Sequence, residues 1–170
     1  MLFIRKATPE DTQDLAAIHA ESWRSAYKDI VPADQLALRG SYQYRLNFWK
    51  KELRSPKNEH FLAMESLEPV GYFSLGNPRD NDLAPDTWEL IAIYFLPQHW
   101  HRGYGTQCIS FIMAHVREKG AKQLSLWVFE ENQNARSFYQ KLGFVPDGAR
   151  KKVAPDSPVW EIRLVRTCGG

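Results

Sequence analysis

The 170-residue chain reads as a mixed α/β fold on a central, mostly antiparallel sheet of about seven strands flanked by helices. Three observations predict this. Two short strands, 61–65 and 70–75, flank a turn at 66–69 and suggest a hairpin. In mid-chain a nearly continuous apolar run, 89–96, passes through a glycine-bearing turn into a helix. Further on, residues 124–129 alternate as a strand does, and a closing strand pair follows at 144–152 and 159–165. Strands first paired in hairpins and then joined through helices give a mixed sheet.

Taken in order, residues 2–7 form the first strand. Thr8 is an N-cap, Pro9 the first helical residue, and Asp11 an acid near the positive end of the helix. Leu15, Ile18 and Ser22 continue a buried face. His19 lies beside it and reads as a hydrogen-bonded structural histidine, the alternative being a catalytic one. Residues 21–32 give a second aromatic-bearing helical piece ending before Pro32. Within it Trp23 and Tyr27 stand four apart on one face. Residues 42–53 form an amphipathic helix whose apolar residues are Leu46, Phe48, Trp49 and Leu53, with its basic residues read as a solvated face. The stretch 76–87 is too rich in turn formers for a regular element. It is read as either an ordered loop by a cleft or a mobile one.

The central strand is apolar except at Glu89 and rich in branched and aromatic side chains, which suits cover on both faces. Pro97, with no N–H for the ladder, ends it. Ile109, Ile112, Met113 and Val116 mark the buried face of the helix that follows, and Gly120 stops it. Residues 132–142 form a short helix capped by Gly143. With no internal repeat or linker, residues 1–167 read as one domain and 168–170 as a frayed tail.

Composition narrows the function. A formal charge of +2, with acidic and basic residues interspersed, argues against nucleic acid. The two cysteines, Cys108 and Cys168, make neither a disulfide framework nor a metal-binding pair, so no metal is expected. No run reaches the length of a membrane span and no signal-peptide core opens the chain. A reducing cytoplasm is therefore the expected compartment. Six Trp, seven Tyr and nine Phe are many for this length, so some rings line a pocket or an interface.

Between the central strand and its helix lie Gly103 and Gly105. Residues lacking Cβ allow a tight turn and let a ligand approach the main chain. The helix start adds unpaired N–H groups and the positive end of the dipole, a place for phosphate. Neither a dinucleotide fingerprint nor a nucleotide-triphosphate loop fits: Cys108 stands where a third glycine belongs, and Gly105-Thr106-Gln107 supplies no lysine. A plain strand-to-helix turn is the alternative.

The turn Trp100-His101-Arg102-Gly103-Tyr104-Gly105, behind Phe95-Leu96-Pro97, resembles the Q/R-x-x-G-x-G/A pyrophosphate motif of the GNAT N-acetyltransferase superfamily. It departs at the first position, where Trp100 replaces Gln or Arg. A second block, Asn132 through Ala135 and Tyr139 to Gly143-Phe144, resembles the family's N-x-x-A-x-x-x-Y-x-x-x-G-F segment. The two blocks stand in family order and at a family-like separation, and the resemblance covers most of the chain.

The resemblance implies a sheet splayed between its fourth and fifth strands, acetyl-coenzyme A as co-substrate, and direct acetylation of an amine. The pyrophosphate is then held by main-chain groups from Arg102 to Thr106, including Gly103, Tyr104 and Gly105. The pantetheine arm pairs along Ile93, Tyr94 and Phe95 and meets Asn132. Glu89, the only acid of the central strand, is the candidate base, the alternative being a glutamate paired with an arginine. Tyr139 is the candidate acid for the departing thiolate and is counted among the cofactor-binding residues, the alternative being a packing aromatic. Trp23, Tyr27 and Trp127 are candidates for the acceptor pocket, with core packing the other reading. The expected acceptor is a small-molecule or peptide amine, and the protein a monomer or homodimer. Polyamine, aminoglycoside-like compound, amino acid and protein N-terminus all stay open. The alternative function is a coenzyme A-binding sensor or interaction module without turnover.

Overall fold

The computed structural model describes residues 1–169. Its strands are β1 (Leu2–Lys6), β2 (Glu59–Glu65), β3 (Glu68–Gly76), β4 (Thr87–Phe95), β5 (Gln123–Phe129), β6 (Val145–Lys152) and β7 (Trp160–Thr167). They make one seven-stranded sheet in the order β1-β2-β3-β4-β5-β7-β6. The β1/β2, β2/β3, β5/β7 and β6/β7 pairs are antiparallel. The β4/β5 pair is parallel, in register from Thr87↔Gln123 to Leu90↔Leu126, consistent with the expected split between these strands. The last strand, β7, lies between β5 and β6.

The chain folds as two compact units, 1–76 with 92–109, and 77–91 with the residues from 110 onward. In the first unit, α1 (Thr12–Tyr27) is one continuous helix rather than the two pieces expected. Nothing between Ala20 and Trp23 breaks it, and a buried stripe from Leu15 to Trp23 runs through its middle. Its entry is fixed by Asp11, whose carboxylate takes the Thr8 N–H at 2.7 Å and two Arg5 guanidinium bonds at 2.7 and 2.9 Å. The Arg5 bonds, chiefly, hold the Asp11 carboxyl below its ordinary pKa.

A short helix, α2 (Ala33–Arg39), follows Pro32. It buries no residue, so it carries no apolar period by which the sequence would reveal it. In α3 (Tyr42–Arg54) the Ser41 side chain accepts from the Tyr44 N–H, capping the start. Its buried residues are Arg45, Trp49 and Leu53, four apart. The reading of its charges as a solvated face is therefore corrected at Arg45. The core of this unit joins Leu15, Ile18, Trp49, Leu53, Leu62 and Tyr72, with Tyr94 and Leu96 packed against it.

In the second unit the outer half of α4 (Tyr104–Glu118) and α5 (Gln133–Lys141) accompany β5, β7 and β6. Gly120 and Gly143, which close these two helices, take φ of 87° and 85°, the left-handed backbone suited to glycine. The irregular stretch after β3 is ordered by Arg163. Its guanidinium bonds Asp82 at 2.7 and 2.8 Å and Asp147 at 2.6 Å, and lies 3.3 Å from Asp80. Cys168, expected in a frayed tail, is instead buried, its N–H donating to the Lys122 carbonyl at 2.8 Å. Gly170 lies outside the described residues. Among these residues no helix is long and apolar enough to cross a membrane.

Gly71 is where β3 admits β4. A Cβ there would stand 2.4 Å from the Phe95 ring and 2.7 Å from the Tyr94 carbonyl oxygen. We expect Gly71→Ala to lower stability by about 1–3 kcal/mol, the usual cost of overfilling a packed site. Urea unfolding of the two proteins measures it, and an unchanged midpoint would contradict the close approach.

Candidate active site

The turn after β4 is held from both sides within the first unit. The Leu96 N–H donates to the Val70 carbonyl at 2.9 Å, tying the strand end to β3. A 3-10 turn, Pro97–His99, follows. Trp100, the departure from the family motif, donates its indole N–H to the Phe95 carbonyl at 2.8 Å. His101 and Gly103 both take positive φ, 60° and 77°. At Gly103 a Cβ would meet nothing within 4 Å, so this face of the main chain is open. The Gln107 N–H donates to the Gly103 carbonyl at 3.2 Å, closing the first turn of α4. The N–H groups ahead of it sit at the positive end of the helix without an acceptor inside it.

Glu65, at the end of β2, faces this turn. Arg102 reaches both its oxygens at 3.4 Å and Tyr104 donates its hydroxyl to it. His99 Nδ1 lies 3.1 Å from it, out of hydrogen-bond alignment. The Tyr104 bond, first among these, holds the Glu65 carboxyl below its ordinary pKa. Arg102 is thus paired, though by long and exposed contacts.

Aromatic rings gather between α1, α3 and the end of β4, also within the first unit. Trp23 and Tyr27 meet edge to face at 5.2 Å, and the Tyr27 and Tyr94 hydroxyls are 2.9 Å apart. His19 stacks on Tyr94 at 5.5 Å. Trp49 donates its indole N–H to His19 Nδ1 at 3.2 Å. A nitrogen that accepts carries no proton, so the neutral ring keeps its proton on Nε2. Burial, with the Arg45 charge second, pushes the His19 pKa well below its ordinary value. His19 is therefore neutral near pH 7 and presents a donor.

The second unit holds the remaining candidates. Glu89 is 0% exposed, and its oxygens take the Arg79 main-chain N–H at 2.9 Å and Nε at 3.0 Å. This is the arginine-paired arrangement weighed as its alternative. Asn132 caps α5, its Oδ1 accepting the Ala135 N–H at 3.2 Å. Tyr139 is buried, its ring edge to face with Phe138 at 5.2 Å and Phe144 at 5.6 Å. Trp127 donates to Asp80 at 2.9 Å, with Lys151 Nζ 4.0 Å over its ring. The structure thus brings Trp23 and Tyr27 together with Tyr94, and gives Trp127 other partners in its own unit.

Comparison with known proteins decides the family. A model described as the acetyltransferase (GNAT) family matches residues 14–144. The chain belongs to the GNAT acetyltransferase family. It is 31% identical over 140 residues to the uncharacterized N-acetyltransferase YuaI of Bacillus subtilis, covering 82% of this chain and 78% of that protein. It is 25% identical over 146 residues to a spermidine N(1)-acetyltransferase of Thermoplasma acidophilum, covering 83% and 86%. Among solved structures, the PaiA N-acetyltransferase of Thermoplasma acidophilum in complex with coenzyme A matches with a TM-score of 0.73 at 20% identity, covering 98% of this chain and 99% of that one. These likenesses make the protein an N-acetyltransferase and its sheet the GNAT sheet.

Sequence reasoning missed Glu65, Arg79 and Arg45 in these surroundings. Glu65 finds its partners across the fold, and Arg79 pairs ten residues on from within an irregular stretch, so neither carries a periodic signal. Arg45 had one: it stands four residues before Trp49 and eight before Leu53, on the buried stripe of its own helix.

The His19 environment predicts a pH effect. Its folded pKa is depressed, so as pH falls below about 6.5 the unfolded chain gains a proton that the folded one refuses. That stability is complete above about pH 6.5 and is lost progressively below it. His60, also depressed by burial, adds in the same direction. Urea midpoints at about pH 7.5 and about pH 5.5 should differ less in His19→Gln, whose side-chain oxygen can still accept from Trp49. An undiminished difference would show that His19 titrates normally.

Proposed function

We propose that this GNAT protein moves an acetyl group from acetyl-coenzyme A directly to a primary amine of a small molecule or peptide. The observation that carries the reading is the turn into α4, left-handed at Gly103, open where a side chain would stand, and leading a helix start. Such a turn suits a pyrophosphate received by main-chain N–H groups from Arg102 to Thr106. The Arg102 guanidinium adds charge once Glu65 yields it. Relatives solved with coenzyme A, and with acetyl-coenzyme A in the YncA protein of Salmonella typhimurium, support the same co-substrate. Ile93, Tyr94 and Phe95 offer main-chain groups to the amides of the pantetheine arm. Asn132 keeps its amide N–H groups for that arm while its oxygen caps α5.

The reaction requires the ammonium to lose a proton, since a lysine-like amine has a pKa of about 10.4. Glu89 serves as the base through a water, because Arg79 occupies its carboxylate directly. The amine nitrogen attacks the thioester carbonyl, the carbon–sulfur bond breaks, and Tyr139 gives its proton to the departing thiolate. No acyl-enzyme is needed. Cys108 is buried and its thiol is pushed up to about 12 by burial, so it supplies no thiolate at neutral pH. The two buried, unpaired cysteines suit a reducing cytoplasm.

Thiol release from acetyl-coenzyme A with a panel of amines tests transfer. Tyr139→Phe should lower kcat by roughly 100-fold or more while calorimetry shows coenzyme A binding unchanged. Cofactor binding without thiol release from the wild type, across the panel, would favour a sensor. Gly103→Ala should weaken coenzyme A at least about 10-fold. Its folding loss should be about 1–2 kcal/mol, the cost of a Cβ in left-handed backbone. Unaltered affinity in that variant would remove the turn from the cofactor site.

A further inference from the structure

Arg45 is a buried charge with no carboxylate partner among the described residues, its guanidinium lying over aromatic rings. It is 8% exposed, and burial, the largest influence, lowers its pKa. Among the described residues no carboxylate pairs with it and its Nε has no hydrogen-bond partner. Its guanidinium carbon stands 5.3 Å from the Trp23 ring centroid and 5.2 Å from that of Tyr44. The other buried arginine among the described residues is satisfied: Arg163 has three aspartates around it. An uncompensated buried cation is costly, and removing one partner of such a pair typically destabilises a protein by several kcal/mol. Its survival argues for an anion that arrives from outside.

The surroundings point the same way. The Tyr72 hydroxyl and Ser22 Oγ are buried without partners. The proton on His19 Nε2, assigned by the Trp49 bond at Nδ1, makes a further donor. Arg45 shares the buried stripe of α3 with Trp49, one turn on, and Trp49 and Phe48 both meet the His19 ring, so His19 and Arg45 line the same α1–α3 seam. Guanidinium, hydroxyl and imidazole N–H are all able to donate, a set suited to an acceptor-rich anion. Around them Tyr44 and Phe48 are exposed, and Tyr27 and Tyr94 half-buried, so an apolar rim reaches solvent. Tyr94 belongs to the strand assigned to the pantetheine arm, which places the cluster beside the amine's expected destination.

We infer that Arg45 binds the carboxylate of the acceptor, and that the acceptor is an amino acid or similar small amino-carboxylate with an apolar side chain. This rests on the acetyl-transfer reading above. A polyamine would bring only positive charge to a buried guanidinium and is disfavoured by it.

The test compares each acceptor with its neutral twin. Thiol release from acetyl-coenzyme A is measured with L-methionine and L-phenylalanine, with their carboxamides, and with spermidine. The acids should outperform the amides by roughly 10–100-fold, mainly in KM, the usual worth of a charged hydrogen bond. Arg45→Gln should bring the acids down to the level of the amides, and Arg45→Lys should recover part of the preference. Coenzyme A affinity should not change in Arg45→Gln; a loss there would assign the guanidinium to a cofactor phosphate and overturn the inference. Equal rates for acid and amide, or a wild-type preference for spermidine, would also overturn it. Both comparisons use the wild type, so they decide even if the variants fold poorly. Should no amine turn over although coenzyme A binds, the transfer reading fails separately. Calorimetry of L-methionine against the wild type in the presence of coenzyme A then judges the pocket, and no heat overturns it.

Discussion

The approach of β4 to β3 at Gly71 is the constraint on which the site depends. Without a Cβ at that position, the Phe95 ring lies against the β3 backbone, and the Leu96 N–H reaches the Val70 carbonyl. The strand end is then fixed in direction as well as in place. Trp100 fastens the same segment from the far side through the Phe95 carbonyl. Family members place a glutamine or arginine at this motif position. Here the indole does structural service, holding the Phe95 carbonyl.

Electrostatics divides the molecule into satisfied and unsatisfied charges. Asp11, Glu89 and Arg163 each sit deep and each is answered by two or more hydrogen bonds. Such pairs contribute modestly to net stability, because desolvation offsets much of their attraction, but they fix geometry. Arg163 in this way orders a stretch too rich in turn formers to hold a regular element. Glu65 is different, since its contacts to Arg102 are long and partly solvated. An exposed, screened pair of that kind contributes little to stability.

Much of this was legible in the chain itself. The central strand, its terminating Pro97, the turn and the buried face of α4 follow from periodicity and from residues with special backbone freedom. The hairpin and the closing strand pair were readable for the same reason. What escaped were features decided by tertiary contact. The continuity of α1 through Glu21 depends on a buried stripe that aromatic residues extend, and α2 buries nothing, so neither break nor helix leaves a period. The fate of Glu89 turned on Arg79, ten residues earlier in an irregular stretch where pairing has no sequence signature.

The Arg45 case shows where local reading goes astray. Charge on an amphipathic helix normally marks the wet face, and most of α3 obeys that rule. Arg45 breaks it by sharing the stripe with Trp49 and Leu53, and the same Trp49 that packs the core also fixes the tautomer of His19. With its acceptor nitrogen occupied, His19 cannot take a proton from an amine at Nε2; it can only give a hydrogen bond. Depression of its pKa by burial and by the neighbouring guanidinium keeps that donor uncharged, so the pocket gains a hydrogen bond without a second buried cation. Among these groups, Arg45 carries the positive charge of this region. That combination of one buried guanidinium with neutral donors and an aromatic rim is the basis of the carboxylate inference.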